Sequence, residues 1–128
     1  MQKMKVLVVE DEESLLKLET ILLTVKGFEV VGAFTGQMAI DKLATEDFNL
    51  VLLDIMLPDI DGFEVCRHIR KNPRTATLPI VMLTAKKSHE DRERGLMCGA
   101  NAYLQKPFKS AMIIEEITKL LNVSTEST

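Results

Sequence analysis

Five short apolar runs, separated by segments with helical periodicity, constrain the fold of this chain more than any other feature. The runs are Val6–Val9, Phe28–Val31, Leu50–Leu53, Ile80–Leu83 and Ala102–Leu104. They begin roughly 20 to 30 residues apart, which is about the length of one strand–helix unit. Runs that are apolar throughout are typical of strands buried on both faces. The pattern therefore predicts an α/β fold in which helices cover both faces of a parallel sheet.

The segments between the runs, and the one after the last run, predict five helices. In the first helix, a 3-4-3 spacing of Leu15, Leu18, Leu22 and Val25 predicts the buried face, and Gly27 offers a C-terminal cap. Apolar positions also mark three others: Met38, Ile40, Leu43 and Ala44 in the second helix, Phe63, Val65, Cys66 and Ile69 in the third, and Ile113, Ile117, Leu120 and Leu121 in the last. The fourth, near residues 88–98, is almost entirely polar up to Leu96. We expect that helix to be weakly anchored to the core.

Length and charge favour one cytoplasmic domain. The chain has 128 residues and a net charge of −3, with its lysines and arginines scattered. This distribution argues against a nucleic-acid or membrane surface. No apolar run approaches the roughly 20 residues of a membrane span, and the acidic N-terminal segment is not a secretory signal. We expect one domain at residues 1–121, followed by a polar tail or the start of a linker at 122–128.

Polar or charged side chains follow four of the five runs. Glu10 and Asp11 follow the first run, Asp54 the third, Thr84 the fourth and Lys106 the fifth. In an open parallel sheet, ligands sit beyond the carboxyl ends of the strands, where the strand order reverses. With the order 2-1-3-4-5, these groups would share one crevice. A carboxylate such as Asp54 at the end of a buried strand is costly unless it is paired or binds a metal. The strand ends therefore predict a site.

The residue types at this predicted site suit metal-assisted phosphoryl transfer. Carboxylates that repel one another call for a hard cation, and a few oxygens with water suit Mg²⁺. Asp54, the innermost carboxylate, is the candidate nucleophile that would form an aspartyl-phosphate, with Glu10 and Asp11 as metal ligands. The Lys106 ammonium and the Thr84 hydroxyl can stabilise phosphoryl oxygens.

Other functions fit the residues less well. Glu12 and Glu13 are better explained as solvated residues at a helix N-terminus. A nucleotide or flavin binder would need a phosphate cradle after the first strand, but the segment "EDEES" has no glycine and repels phosphate. A phosphatase with an Asp-x-Asp motif would need an acid where Met56 stands. Hydrolysis of sugars by two carboxylates stays open, although no segment predicts a substrate cleft.

Four segments of the chain resemble the receiver domain of bacterial two-component response regulators, in particular the chemotaxis-Y-like single-domain type. They are "VVEDEE", "LVLLDIMLPDIDGFEV", "PIVMLTA" and "GANAYLQKPF", and they occur in the family's order and spacing from about Lys5 to Leu121. The resemblance implies a flavodoxin-like (βα)₅ three-layer sandwich with the strand order 2-1-3-4-5. It also implies a phosphoacceptor rather than an enzyme, which receives its phosphoryl group from a sensor histidine kinase or a histidine phosphotransfer protein.

The resemblance also implies roles for individual residues at the first and third strands. Glu10 and Asp11 match the family's acidic pair, and Asp54 matches its phosphoacceptor. Met56 would supply a backbone carbonyl to Mg²⁺, the implied cofactor.

On the fourth and fifth strands, the resemblance implies a switch. Thr84 matches the switch hydroxyl, Lys106 the family's lysine and Pro107 its cis-proline. Tyr103 matches the aromatic residue that moves inward when the hydroxyl engages the phosphoryl group. The chain departs from the family at Asn101–Ala102, where an acidic pair is usual, and this removes charge beside the fifth strand.

Two alternatives describe how such a receiver would pass on its signal. The surface formed by the fourth helix, the fifth strand and the fifth helix is the predicted contact for a downstream protein or for self-association. Alternatively, the chain is the receiver part of a larger regulator or hybrid kinase whose output domain lies elsewhere. Neither alternative predicts direct contact of this chain with nucleic acid or membrane. A receiver that is not phosphorylated is a third class, disfavoured because every site residue is present.

Overall fold

The computed structural model describes residues 3–84, 93–94, 97–105 and 110–121, with the backbone alone at Thr84 and Ser110. Its elements are β1 (Lys5–Val9), α1 (Glu13–Val25), β2 (Glu29–Ala33), α2 (Gly36–Thr45), β3 (Leu50–Asp54), α3 (Gly62–Lys71), β4 (Ile80–Thr84), β5 (Ala102–Gln105) and α4 (Ser110–Leu121). The predicted polar helix near residues 88–98 lies mostly outside the described residues. Glu93, Arg94 and Met97 are helical and exposed.

The five strands form one parallel sheet in the order β2-β1-β3-β4-β5. The predicted flavodoxin-like fold and strand order are therefore confirmed. Val9 pairs with Ala33 on one side and with Leu53 on the other. The carboxyl ends of β1 and β3 consequently lie side by side, at the position where the chain reverses its direction of winding.

The second strand begins one residue later than the sequence predicts. Phe28 completes the end of α1 instead, since its backbone N–H donates to the Leu23 carbonyl at 3.0 Å. The preceding residue, Gly27, has φ +97° and donates to the Thr24 carbonyl at 3.0 Å. These paired bonds satisfy helix carbonyls that would otherwise lack partners, and they confirm the predicted glycine cap.

The buried face of α1 differs from the predicted one. Leu16, Glu19 and Leu23 are buried, whereas Leu18 and Val25 are 57% and 77% exposed. Two of the predicted residues, Leu15 and Leu22, are half-buried, and Leu16 and Leu23 lie beside them on the helix, so periodicity alone does not fix the buried stripe. The sheet selects the stripe that contains Leu16, whose side chain lies over Gly32 of β2. A β-carbon at Gly32 would stand only 3.2 Å from it.

A similar correction applies to α2. Leu43 is buried as predicted, but Met38 and Ala44 are exposed and Ile40 is half-buried. The small Ala39 takes the second core position instead. In α3, by contrast, all four predicted apolar residues are buried, and the helix ends at Lys71, before Pro73.

The core has two parts because successive side chains of a strand point to opposite faces of the sheet. Leu7 and Val9 of β1 join the part covered by α2 and α3. Val6 and Val8 join the part covered by α1 and α4, in which Ile113 and Ile117 are buried as predicted. The helices therefore hold the sheet from both sides.

Candidate acidic site

Three carboxylates meet at the carboxyl ends of β1 and β3. One oxygen from each of Glu10, Asp11 and Asp54 lies within 4.8 Å of the others. The sheet register produces this cluster, because Val9 pairs with Leu53 and each strand continues into an acid. The structure thus brings together the three acids that the sequence predicts to share a crevice.

Two members of the acidic cluster are almost completely buried. Glu10 is 1% exposed and Asp54 is 4% exposed, whereas Asp11 is exposed. The Glu10 carboxylate accepts a hydrogen bond from the backbone N–H of Glu12 at 3.1 Å. The Asp54 carboxylate accepts one from the backbone N–H of Met56 through Oδ1, at 3.0 Å. Each buried carboxylate is therefore oriented by the chain that follows it.

The donor set fits a small hard cation. Mg²⁺ binds oxygen ligands at about 2.1 Å in octahedral geometry, so adjacent ligands stand about 3 Å apart and opposite ones about 4.2 Å. Oxygens that lie within 4.8 Å of one another would move closer together to bind one ion. A divalent cation would also offset the mutual repulsion of acids gathered in a largely buried position. The residues that could hold it are Glu10, Asp11 and Asp54.

The loop that follows Asp54 is held closely against β3. The Ile55 carbonyl accepts hydrogen bonds from the backbone N–H groups of Leu57 and Gly62, at 3.1 and 2.9 Å. A β-carbon at Gly62 would lie 2.6 Å from the Asp54 carbonyl oxygen and 2.7 Å from the Ile55 Cα. Only glycine fits there, because the start of α3 touches the backbone at Asp54 and Ile55.

Two further acids in this loop bind helix N-termini. Asp61 caps α3 by accepting from the backbone N–H of Glu64 at 2.9 Å. This cap is readable from sequence, because an aspartate three residues before a glutamate is a helix-start pattern. Asp59 instead binds the N-terminus of α2, and the sequence analysis missed it. The pKa of Asp59 is held below its usual range, chiefly by the hydrogen bond from the backbone N–H of Gln37.

The far side of the crevice is described in part. Thr84 ends β4 and pairs in register with Gln105 of β5. Tyr103 is half-buried and packs against the core on the side of α2 and α3. Lys106 and Pro107 lie outside the described residues.

Two clefts lie away from the acidic cluster. One, of about 550 Å³, is lined by residues of α3 and by described residues of the 93–98 region. The other, of about 570 Å³, lies between α1 and α4. Neither cleft includes a carboxylate of the cluster, so the acids stand apart from both concave surfaces. No described helix combines the length and apolar character needed to cross a bilayer.

Known proteins resemble this chain in sequence and in structure. The response regulator receiver domain family matches residues 6–118. The phosphate regulon transcriptional regulatory protein PhoB of Rhizobium meliloti (strain 1021) is 41% identical over 91% of this chain and 52% of its own length. The alkaline phosphatase synthesis transcriptional regulatory protein PhoP of Bacillus subtilis (strain 168) is 40% identical over 94% of this chain and 49% of its own. The chain thus spans about half the length of these curated relatives.

A solved structure agrees with these relatives. The CheY-like response regulator receiver domain protein of Methanospirillum hungatei JF-1 superposes with a TM-score of 0.89 at 31% identity, over 94% of this chain and 95% of that one. The family match covers nearly all of the described sheet and the acidic cluster at its edge. The chain therefore belongs to the receiver domain family of two-component response regulators.

Proposed function

We propose that this receiver is a phosphorylation-dependent switch in which Asp54 accepts a phosphoryl group from the phosphohistidine of a sensor kinase or a phosphotransfer protein. One observation carries the proposal: Asp54 ends a fully buried strand with a carboxylate oxygen within 4.8 Å of oxygens from Glu10 and Asp11. Receiver domains as a family bind Mg²⁺, and this acidic cluster suits it. The chain acts as phosphoacceptor and not as an enzyme on a separate substrate.

The hydrogen bond from the Met56 N–H to Oδ1 orients the Asp54 carboxylate. A bond forms between a carboxylate oxygen of Asp54 and phosphorus while the bond from phosphorus to the donor histidine nitrogen breaks. The leaving imidazole nitrogen keeps that electron pair. Because the backbone N–H fixes the carboxylate plane before the donor arrives, less orientational freedom is lost in the transition state.

The metal ligands in this proposal are Glu10, Asp11, Asp54 and the backbone carbonyl of Met56. When bound, Mg²⁺ neutralises charge on the phosphoryl oxygens. Burial of Glu10 supports its part in the cluster, since a nearly inaccessible carboxylate is costly without a compensating charge. Asp11 is exposed, so it can reach a ligand that arrives from solvent.

The switch in this proposal comes from the fourth and fifth strands. The Thr84 hydroxyl donates to a phosphoryl oxygen and Lys106 forms an ion pair with another. The register supports the position of Thr84, because Asp54 pairs with Leu83 and Thr84 is the next residue. Tyr103 then changes its packing. The signal leaves through the surface formed by the 88–98 segment, β5 and α4, to a downstream protein or a second copy.

Intact-mass measurement with acetyl phosphate and Mg²⁺ tests the proposal. The wild-type protein should gain the mass of one phosphoryl group, and Asp54→Asn should gain none. Asp41→Asn is the matched control, because Asp41 is an exposed aspartate on α2 that pairs with Gln37 and lies outside the acidic cluster. Labelling of Asp54→Asn, or a wild-type protein that stays unlabelled in the presence of Mg²⁺, would contradict the assignment.

The length of the relatives favours a second candidate for the output. Two transcriptional regulators match this chain over only 52% and 49% of their own lengths. The receiver would then control transcription as one part of a longer regulator. The native open reading frame decides this: a DNA-binding domain encoded in frame after the receiver supports the second candidate, and a stop codon directly after it excludes the second candidate.

A further inference from the structure

The loop between β3 and α3 is fixed at a second point, five residues after Asp54. The Asp59 carboxylate accepts a hydrogen bond from the backbone N–H of Gly36 through Oδ1, at 2.8 Å. It accepts another from the backbone N–H of Gln37 through Oδ2, at 2.9 Å. Gly36 and Gln37 are the first two residues of α2, whose N–H groups have no partner within the helix. Both oxygens of Asp59 are thus used in joining α2 to the loop.

The N-terminus of α2 has a second cap that involves no loop residue. The Thr35 hydroxyl accepts from the backbone N–H of Met38 at 3.0 Å. Thr35 therefore satisfies the third N–H group of the helix and Asp59 the first two. The two caps stabilise the same helix end, but only Asp59 connects it to the loop. Substitution of each residue in turn can therefore separate the effect of helix capping from the effect of loop positioning.

Close packing reinforces the connection between α2 and the loop. A β-carbon at Gly36 would lie 3.0 Å from the Ile60 carbonyl oxygen and 3.0 Å from the Val65 Cγ2. The first turn of α2 therefore contacts the loop directly. Ala39 and Leu43, on the same helical face as Gly36, are buried in the core, so the helix is a fixed support.

The loop carries the groups that orient the acidic cluster. Met56, whose N–H binds the Asp54 carboxylate, lies three residues before Asp59. The loop is bonded to β3 at Ile55 and to α2 at Asp59, and the exposed Met56 and Pro58 lie between these points. Release of the Asp59 contact would remove the hydrogen bonds that join the segment after Met56 to α2.

We propose that Asp59 is a positioning residue: by binding the N-terminus of α2 it holds the Met56 backbone in the place where it orients Asp54 and faces the cation. The inference rests on the proposed function of the acidic cluster. Asp59 itself is exposed and outside the cluster, so its effect on cation binding is transmitted through the loop. Its role is distinct from that of Asp61, which caps the helix at the end of its own loop.

The test compares Asp59→Ala with Thr35→Ala, two variants that each remove a cap from the same helix end. Both should unfold at a lower urea concentration than wild type, because each loses an N-terminal cap. Only Asp59→Ala should weaken Mg²⁺ binding, measured by NMR titration without any phosphodonor. The expected increase in Kd is about tenfold, the size seen when a group that orients a metal ligand is removed.

Amide hydrogen exchange gives a readout independent of the metal. Faster exchange at Met56 is expected in Asp59→Ala and not in Thr35→Ala, whereas the Met38 amide should respond to Thr35→Ala. Asp59→Asn, which keeps the shape of the side chain and one acceptor, should give a smaller change of the same sign. If Asp59→Ala does not fold, Asp59→Asn is used as the test variant in its place.

Two results would overturn the inference. One is an Mg²⁺ affinity of Asp59→Ala that stays within about twofold of the wild-type affinity. That change would be well short of the roughly tenfold loss expected when a group that orients a metal ligand is removed. The other is an equal loss in Thr35→Ala, which would reduce Asp59 to a helix cap. Failure of the phosphoacceptor proposal can be told apart from failure of this inference. In that case the wild-type protein would bind Mg²⁺ through the acidic cluster and still show no phosphorylated mass.

Discussion

The two sides of the acidic cluster are built differently. On the β1 side, three residues separate Val9 from the start of α1, and the N-cap residue Glu12 makes no side-chain cap. On the β3 side, seven residues separate Asp54 from Gly62. That longer loop is held by backbone bonds to Ile55 and by the Asp59 carboxylate.

The difference shows two ways of fixing an acid at a strand end. A connection of three residues has little freedom once β1 and α1 are packed, so the sheet register and two hydrogen bonds, from the Glu10 N–H to the Ala33 carbonyl and from the Glu12 N–H to the Glu10 carboxylate, fix Glu10. A loop of seven residues has more conformational entropy to lose, so it needs additional contacts to keep one conformation. The β3 side should therefore be more sensitive to substitutions that touch its backbone.

The largest expected difference comes from adding a methyl group on each side. Gly62→Ala should lower the free energy of unfolding by about 3 kcal/mol, because the new atom would overlap rigid backbone at 2.6 Å from the Asp54 carbonyl oxygen. Gly32→Ala, beside β1, should cost about 1 kcal/mol or less, because the methyl meets only the movable side chain of Leu16. Urea unfolding measures both, and equal losses would show that the two sides are equally rigid.

A smaller effect is expected when charge is removed on the β1 side. Asp11→Asn should weaken Mg²⁺ binding by about tenfold, or about 1.4 kcal/mol, because one of three clustered carboxylates is lost. The control is Glu13→Gln, since Glu13 is an exposed acid in the first turn of α1 and outside the cluster. Calorimetric titration with MgCl₂ measures both. Unchanged affinity in Asp11→Asn would place the metal elsewhere.

The smallest expected effect is the pH dependence contributed by Asp59. Its pKa is lowered in the folded protein, chiefly by the Gln37 N–H, so the charged carboxylate binds α2 better than the protonated one. The stabilisation is fully present above the unfolded-state pKa of about 3.9 and is lost as the pH falls through the lower folded-state pKa. The difference in unfolding free energy between wild type and Asp59→Asn should thus be constant from about pH 5 to 7 and narrow below about pH 4.

Unfolding curves recorded at several pH values would check this behaviour. A difference that stays constant as the pH falls well below the unfolded-state pKa would show that the charge of Asp59 does not contribute. If the difference in unfolding free energy between wild type and Asp59→Asn grew at low pH, its sign would be wrong for a carboxylate with a lowered pKa.

Much of the fold and of the cluster could be predicted because both follow from local patterns. Each apolar run forms a strand in the sheet, and all four predicted apolar residues of α3 are buried. In α1 the predicted face was only partly right: Leu15 and Leu22 are half-buried, but Leu18 and Val25 are exposed, because leucines also occupy the neighbouring stripe and the sheet decides which packs. Periodicity specifies that a helix has an apolar face, but it chooses a face only when one stripe is apolar.

By itself, the sequence determined which residues could form the acidic cluster: Glu10, Asp11 and Asp54 each follow an apolar strand, and the parallel register brings strand ends together. The tertiary structure alone decided the role of Asp59. Its two partners lie 23 and 22 residues earlier in the chain, and they are backbone N–H groups, which every residue except proline possesses. No side-chain pattern identifies such a pair, because the bond depends on where α2 begins in space and not on which residues begin it.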